Sequence, residues 1–225
     1  MSPQSVMIFG AGLGTRMRHL TADRPKPLVE VAGRALIDHA LDLTEGMGLT
    51  RVVNTHYRAD QLAAHLGDKA LISHEDVLLE TGGGLRHARP LLGEGPVFTL
   101  NSDAIWAGPN PLRLLQNAWR EGMEGLLLLL PPQAARGHKG HGDFDMDAEG
   151  RIRRAPAYVY SGAQIIRPAT LDGIEDNIFS LNRAWDAMIA RGTLYGIPYD
   201  GQWCDVGQPE SIPLAEALLH ETSDA

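Results

Sequence analysis

The sequence predicts an α/β fold with a mostly parallel central sheet and helices on both of its faces. Two observations carry this. Short apolar runs alternate with helix-period segments through the first half of the chain, which is the signature of strand-helix-strand units. The runs themselves, such as Ser5–Phe9 and the five leucines at 126–130, are apolar on successive residues, as strands buried on both faces are. The 225 residues, 44% hydrophobic and 21% charged, suit one globular domain, 1–225, large enough to bury a core without disulfides.

The elements follow in order. Ser5–Phe9 is the first strand, and a glycine-rich loop follows it. Leu36, Ala40, Leu43 and Met47 keep helical spacing, with Ile37 and Leu41 beside them and Asp38, Asp42 and Glu45 on the polar side. Residues 51–56 read as a strand, Ala59–Leu66 as a helix and Leu71–His74 as a strand. A second glycine loop precedes the helical pattern Leu85, Ala88, Leu91. Val97–Asn101 is a strand, 111–121 a helix, and 126–130 a strand ended by Pro131 and Pro132. Beyond it, 141–146 and 151–154 flank a turn at 147–150, as in a hairpin. Residues 162–166 and 194–197 read as strands, and 181–190 and 209–219 as helices. This second half is expected to elaborate the same sheet.

Acidic residues outnumber basic ones 28 to 20, for a net charge of -8, which disfavours nucleic acid and anionic membrane surfaces as partners. The single cysteine, Cys204, excludes an intramolecular disulfide and a cysteine-based zinc cluster. The N-terminal MSPQSVMIFG has neither a basic region nor a long apolar stretch, and 126–130 is far short of the ~20 residues of a membrane span. A soluble cytoplasmic protein, monomeric or a small homo-oligomer, is expected.

The most informative stretch is Gly10-Ala11-Gly12-Leu13-Gly14-Thr15-Arg16, directly after a strand. Three glycines in five residues let backbone N–H groups turn toward an anion and cradle a phosphate. It is not a Walker A loop, because no Lys-Ser/Thr pair follows Gly14. It is not a dinucleotide fingerprint, because position 15 is Thr and Pro25 and Pro27 interrupt the helix and strand that should follow. Two cations accompany the loop: Arg16, and Lys26 held between two prolines on stiff backbone.

Asp103 lies just past the carboxyl end of strand Val97–Asn101, the edge where open α/β sheets bind ligands. Asp205, in Trp203-Cys204-Asp205, is a second candidate carboxylate, and two carboxylates facing triphosphate oxygens suit Mg²⁺. Asp145, Asp147 and Glu149 read as a solvated turn. None of the nine histidines stands in a ligand or triad pattern, and no G-x-S-x-G elbow occurs.

The stretches Gly10 to Met17 and Thr21 to Leu28 resemble the signature of the sugar-phosphate nucleotidylyltransferases, the NDP-sugar pyrophosphorylases. The resemblance covers nearly the whole chain. It implies a Rossmann-like sheet of the nucleotide-diphospho-sugar transferase type and a reaction between a nucleoside triphosphate and a sugar 1-phosphate, with Mg²⁺ on Asp103 and Asp205. Arg16 and Lys26 are then catalytic. Ala11, Gly12, Leu13, Gly14 and Thr15, with Thr81, Gly82 and Gly83 of the base-recognition loop, bind the nucleotide. Asp143, Gly162, Asn182 and Asn54 contact the sugar. Residues 1–132 become the nucleotide half and 133–225 the acceptor half. Glu80 to Gly84 and Gly142-Asp143-Phe144 most resemble the subgroup acting on N-acetylmuramate 1-phosphate with UTP in peptidoglycan recycling; mannose- and glucose-1-phosphate enzymes share most of the signature. Many relatives carry Glu-Lys-Pro where this chain has Arg153-Arg154-Ala155-Pro156, so the cation for the sugar phosphate is unassigned; Arg153 or Arg154 is a substitute, with a surface strand charge the favoured reading of both. A nucleotide-binding regulator is the non-enzyme alternative.

Overall fold

The structure is a computed structural model and describes residues 2–223; both ends of the 1–225 reading lie outside them. Among the described residues the central sheet has seven strands. Their spatial order is Leu194–Pro198, Gly125–Leu130, Val159–Ile166, Val97–Asn101, Ser5–Phe9, Thr50–Thr55 and Leu71–His74. All pairings are parallel except those of Val159–Ile166, which runs antiparallel to both neighbours. The sheet is therefore mostly parallel, as the sequence predicts.

Alternation explains the apolar runs. Val6 and Ile8 enter one core and Met7 the other; Leu126, Leu128 and Leu130 enter the first, Leu127 and Leu129 the second. Helices Leu36–Asp42, Ala59–Leu66 and Pro111–Ala118 cover the first face through Ile37, Leu62 and Leu115. Helices Glu80–Leu92 and Asn182–Arg191 cover the second through Leu85 and Met188. Each leucine so enclosed contributes about 1.5–3 kcal/mol of burial.

Several boundaries differ from the periodicity. The helix starting at Leu36 stops at Asp42, five residues before Met47, because the Thr44 hydroxyl donates to the Leu41 carbonyl (2.6 Å) and Gly46 turns to positive φ. The 111–121 helix ends at Ala118, where Trp119 turns to extended backbone. The strand expected from 162 begins at Val159, and its register slips between Tyr160 and Gln164, around Gly162 at φ +88°. The hairpin at 144–154 forms, its turn held by Asp147 Oδ1 accepting from Glu149 N and Arg151 N.

A three-stranded sheet of Ala104–Ala107, Gln202–Asp205 and Ala135–Arg136 was not legible, since strands of two to four residues carry no period. It closes a third core, where Ile105, Cys204 and Val206 meet Leu218 of helix Ile212–Ser223. Among the described residues no helix is long and apolar enough to cross a membrane.

The connection order positions the site. From Ser5–Phe9 the chain builds two strands to one side, then crosses by helix Glu80–Leu92 to Val97–Asn101 on the other. Ligand crevices open at the carboxyl ends of strands at such a switch point.

Candidate active site

The first strand ends at Phe9, and Gly10 leaves it pressed on Asn54. Gly10 N donates to Asn54 Oδ1 at 2.7 Å, and a Cβ on Gly10 would sit 2.8 Å from the Asn54 carbonyl oxygen. At its far end Gly14 has φ +65° and lies flat on Lys26, where an added Cβ would come within 2.9 Å of Lys26 Cβ. Glycine loop and Pro-Lys-Pro segment are thus one packed unit, and the Lys26 chain is only 12% exposed.

Lys26 Nζ reaches Asp103 Oδ2 at 2.5 Å. Asp103 is held by its surroundings: Ser102 Oγ donates to the Phe9 carbonyl at 2.6 Å, tying this turn to the first strand's end. Asp205 arrives from a hundred residues away through the small sheet, where it pairs with Ala104, and Val206 N donates to the Asp103 carbonyl at 2.8 Å. Arg16 completes the group: a Cβ on Gly207 would lie 3.0 Å from Asp205 Oδ2 and 3.2 Å from an Arg16 guanidinium nitrogen. Burial, then the Asp103 charge, raise the Asp205 carboxyl above the ordinary range; Lys26, Arg16 and His138 oppose the rise without cancelling it. Two neighbouring carboxylates, one destabilised by the other, fit a divalent cation, which would relieve their repulsion.

A cavity of about 400 Å³ opens on the Lys26–Asp103 pair, while Arg16 and Asp205 lie outside its lining. Its lining includes Ala11, Gly12, Lys26 and Asp103 together with Leu78 and Thr81. A second cavity of about 280 Å³ shares Phe9, Thr81, Asn101 and Ser180 with it and adds Asp143, Asn182, Tyr160 and Trp185. The two hollows adjoin, as a two-substrate site requires.

Not every residue named from the sequence stands on these walls. Leu13 is 45% exposed and Thr15 is also at the surface, outside both linings. Gly82 and Gly83 are buried in the first turn of helix Glu80–Leu92, and both N–H groups donate to the Phe179 carbonyl (2.9 and 3.0 Å). These glycines, read from the sequence as space for a base, instead admit the chain's own 177–179 segment: a Cβ on Gly82 would overlap the Phe179 ring, and one on Gly83 the Asn177 carbonyl. Thr81 faces both cavities, and its Oγ1 accepts from Leu181 N at 3.0 Å. Gly162 is on neither lining but packs on Asn101, which is on both: a Cβ there would meet the Asn101 amide at 2.8 Å. Asn54, expected at the sugar, lines the first cavity but has its amide committed to Gly10 and to Glu75 Oε1 (2.7 Å), and so braces the glycine loop.

Three contributors were missed. Glu75 is buried and accepts from both Asn54 and Leu79 N (2.9 Å), joining the residue that braces the glycine loop to the start of helix Glu80–Leu92; one acidic residue after an edge strand carries no periodic signal. Trp185, which lines the second cavity, falls in the 181–190 segment that the sequence reading treats only as a helix. His138 lies close enough to Asp205 to favour its charged form, a proximity set by pairing of Ala135–Arg136 with Trp203 and Cys204.

Cys204, beside Asp205, is fully buried, and burial pushes its thiol up to about 11. A thiol-specific reagent at pH 7–8 is therefore expected to leave the folded protein unmodified and to label it only on denaturation. Rapid labelling of the native protein would show that the strand carrying Asp205 opens.

A family model described as nucleotidyl transferase matches residues 5–155. N-acetylmuramate alpha-1-phosphate uridylyltransferase of Caulobacter vibrioides is 44% identical, over 98% of either chain. Mannose-1-phosphate guanylyltransferase catalytic subunit beta of Dictyostelium discoideum is 33% identical over 92% of this chain and 62% of its own. Among solved structures, HddC from Yersinia pseudotuberculosis complexed with GMP-PN superposes with a TM-score of 0.76 at 18% identity, covering 97% of this chain and all of that one; this likeness concerns the fold. With a family match over more than half its length and a close relative over nearly all of it, this chain belongs to the nucleotidyl transferase family and is a sugar-phosphate nucleotidylyltransferase.

Proposed function

We propose that the chain transfers a uridylyl group from UTP to N-acetylmuramate 1-phosphate, releasing pyrophosphate, in the cytoplasm and in peptidoglycan recycling. One observation carries the chemistry: the Lys26–Asp103 contact lies on the wall of the first cavity, beside a second cavity that shares four lining residues with it. The choice of substrates is supported by the relative that is 44% identical across nearly its whole length.

In this reading residues 1–132 supply the nucleotide half and 133–225 the acceptor half of one domain. The triphosphate lies along Ala11 and Gly12, with its base toward Leu78 and Thr81. The sugar occupies the second cavity against Asp143 and Asn182. An acceptor phosphate oxygen attacks the α-phosphorus, the new O–P bond forms as the bond to pyrophosphate breaks, and no proton has to move because the nucleophile is already an anion. Lys26 neutralises the crowded α-phosphate and Arg16 the departing pyrophosphate. Mg²⁺, held by Asp103 and Asp205, would add charge neutralisation and alignment of the phosphates. The cradle and the two cavities hold the reactants in line, which lowers the barrier by removing the cost of encounter.

The test is pyrophosphate release with Mg²⁺, crossing four nucleoside triphosphates with N-acetylmuramate, mannose, glucose and N-acetylglucosamine 1-phosphates. Preferred turnover of UTP with the muramate ester is expected. Turnover with GTP and the mannose ester would move the chain toward the guanylyltransferase relatives. Nucleotide binding without pyrophosphate release under any pair would overturn the enzymatic reading.

A further inference from the structure

Resting on the acceptor proposed above, we infer that Arg154 selects for it by receiving the carboxylate of its lactyl group. The acceptor cavity has a rigid aromatic wall. Tyr160 and Trp185 meet edge to face with centroids 4.9 Å apart, and Trp185 Nε1 donates to Gln164 Oε1 at 2.9 Å, while Gln164 Nε2 donates to Thr99 Oγ1 at 3.0 Å. The lining of this cavity offers an anion no positive charge: Asp143 is itself acidic, and the Asn182 amide is engaged by Arg154 and Ser180.

Arg154 does not itself line the cavity but lies against two residues that do, Trp185 and Asn182. Its guanidinium carbon is 4.7 Å from the Phe144 ring centroid and 5.7 Å from that of Trp185. Nε donates to Asp186 Oδ1 and Nη2 to Asn182 Oδ1, both at 2.8 Å. The fork is thereby fixed in plane, and Nη1 has no partner among the described residues. The hairpin register makes the orientation specific: Arg154 pairs with Phe144, whereas Arg153, 75% exposed, pairs with Asp145 and binds it instead. A hexose anchored by its C1 phosphate at the Lys26 end turns its C3 and C4 substituents to the opposite wall, and the lactyl ether is on C3. A fixed guanidinium matches a carboxylate better than a mobile ammonium does.

N-acetylglucosamine 1-phosphate lacks only the lactyl group, so the ratio of kcat/KM on the two acceptors isolates the contact. The wild type is expected to prefer the muramate ester, and Arg154→Gln to lower the ratio by about 10–100-fold, chiefly through KM for that ester. Arg154→Lys, which keeps a charge but loses the fork, should fall between them; it also carries the test if the glutamine variant fails to fold. Loss on both acceptors alike would assign Arg154 a structural role and overturn the inference, as would an unchanged ratio. A wild type without the preference would sink the acceptor reading itself, and this inference with it; a preference that survives Arg154→Gln sinks this inference alone.

Discussion

Lys26→Ala is expected to lower turnover by about 10²–10³-fold, the usual loss when a preorganised charge-stabilising donor is removed. The side chain is held on a stiff Pro-Lys-Pro segment, packed under Gly14, and delivered to Asp103 at 2.5 Å. Alanine removes the cation that the proposed mechanism sets against the α-phosphate while keeping the local backbone, because Pro25, Pro27 and the Gly14 contact are retained. Stability should fall as well, by about 3 kcal/mol, because the pair is largely buried and the change leaves Asp103 without its counter-charge. That loss has a pH dependence. The Asp205 carboxyl is already raised, and removing Lys26 takes away a charge that opposes the rise. A carboxyl whose folded pKa exceeds its unfolded value binds its proton more tightly when folded, so it costs stability while ionised and the cost fades as pH falls through the folded pKa. The variant's stability deficit should therefore be larger at pH 8 than at pH 5. Thermal unfolding at the two values, beside pyrophosphate-release kinetics, checks both effects; full activity in Lys26→Ala would remove Lys26 from the mechanism.

Gly82→Ala and Gly12→Ala should separate two glycines that look alike in the sequence. A Cβ on Gly82 would overlap the Phe179 ring and lie 2.9 Å from its carbonyl oxygen. The ring has little room to retreat, being buried beneath the Arg86 guanidinium at 4.7 Å. Overpacking of this kind costs about 1–3 kcal/mol, or roughly 3–10 °C in Tm for a chain of this size. Around Gly12 an added Cβ meets nothing within 4 Å, so Gly12→Ala should leave Tm unchanged. Gly12 lines the first cavity, however, and with the triphosphate placed there as proposed its new methyl should raise KM for that substrate. Equal Tm losses in the two variants would mean that packing does not distinguish them.

Residues close together in the chain were the legible ones. Ala59–Leu66, Leu71–His74 and Val97–Asn101 have the bounds their patterns predict, because period and burial act within a few residues. Thr44 and the glycines after it cut a helix whose apolar spacing continued, which shows a local hydrogen bond overriding periodicity. The glycine loop with Arg16 and Lys26 was legible for the same local reason: a phosphate cradle is built from consecutive backbone.

The sequence by itself determined the α/β class, the family and the chemical types present: a glycine cradle, two cations and two carboxylates. Only the tertiary structure decided which of them meet. Asp103 and Asp205 are joined by strands too short to carry a period, and Asn54 and Glu75 became braces because a buried amide and a buried carboxylate must find partners. Gly82 and Gly83 serve a segment nearly a hundred residues downstream. Such contacts depend on which surfaces the folded sheet brings within a few ångströms, and one-dimensional spacing does not encode that distance.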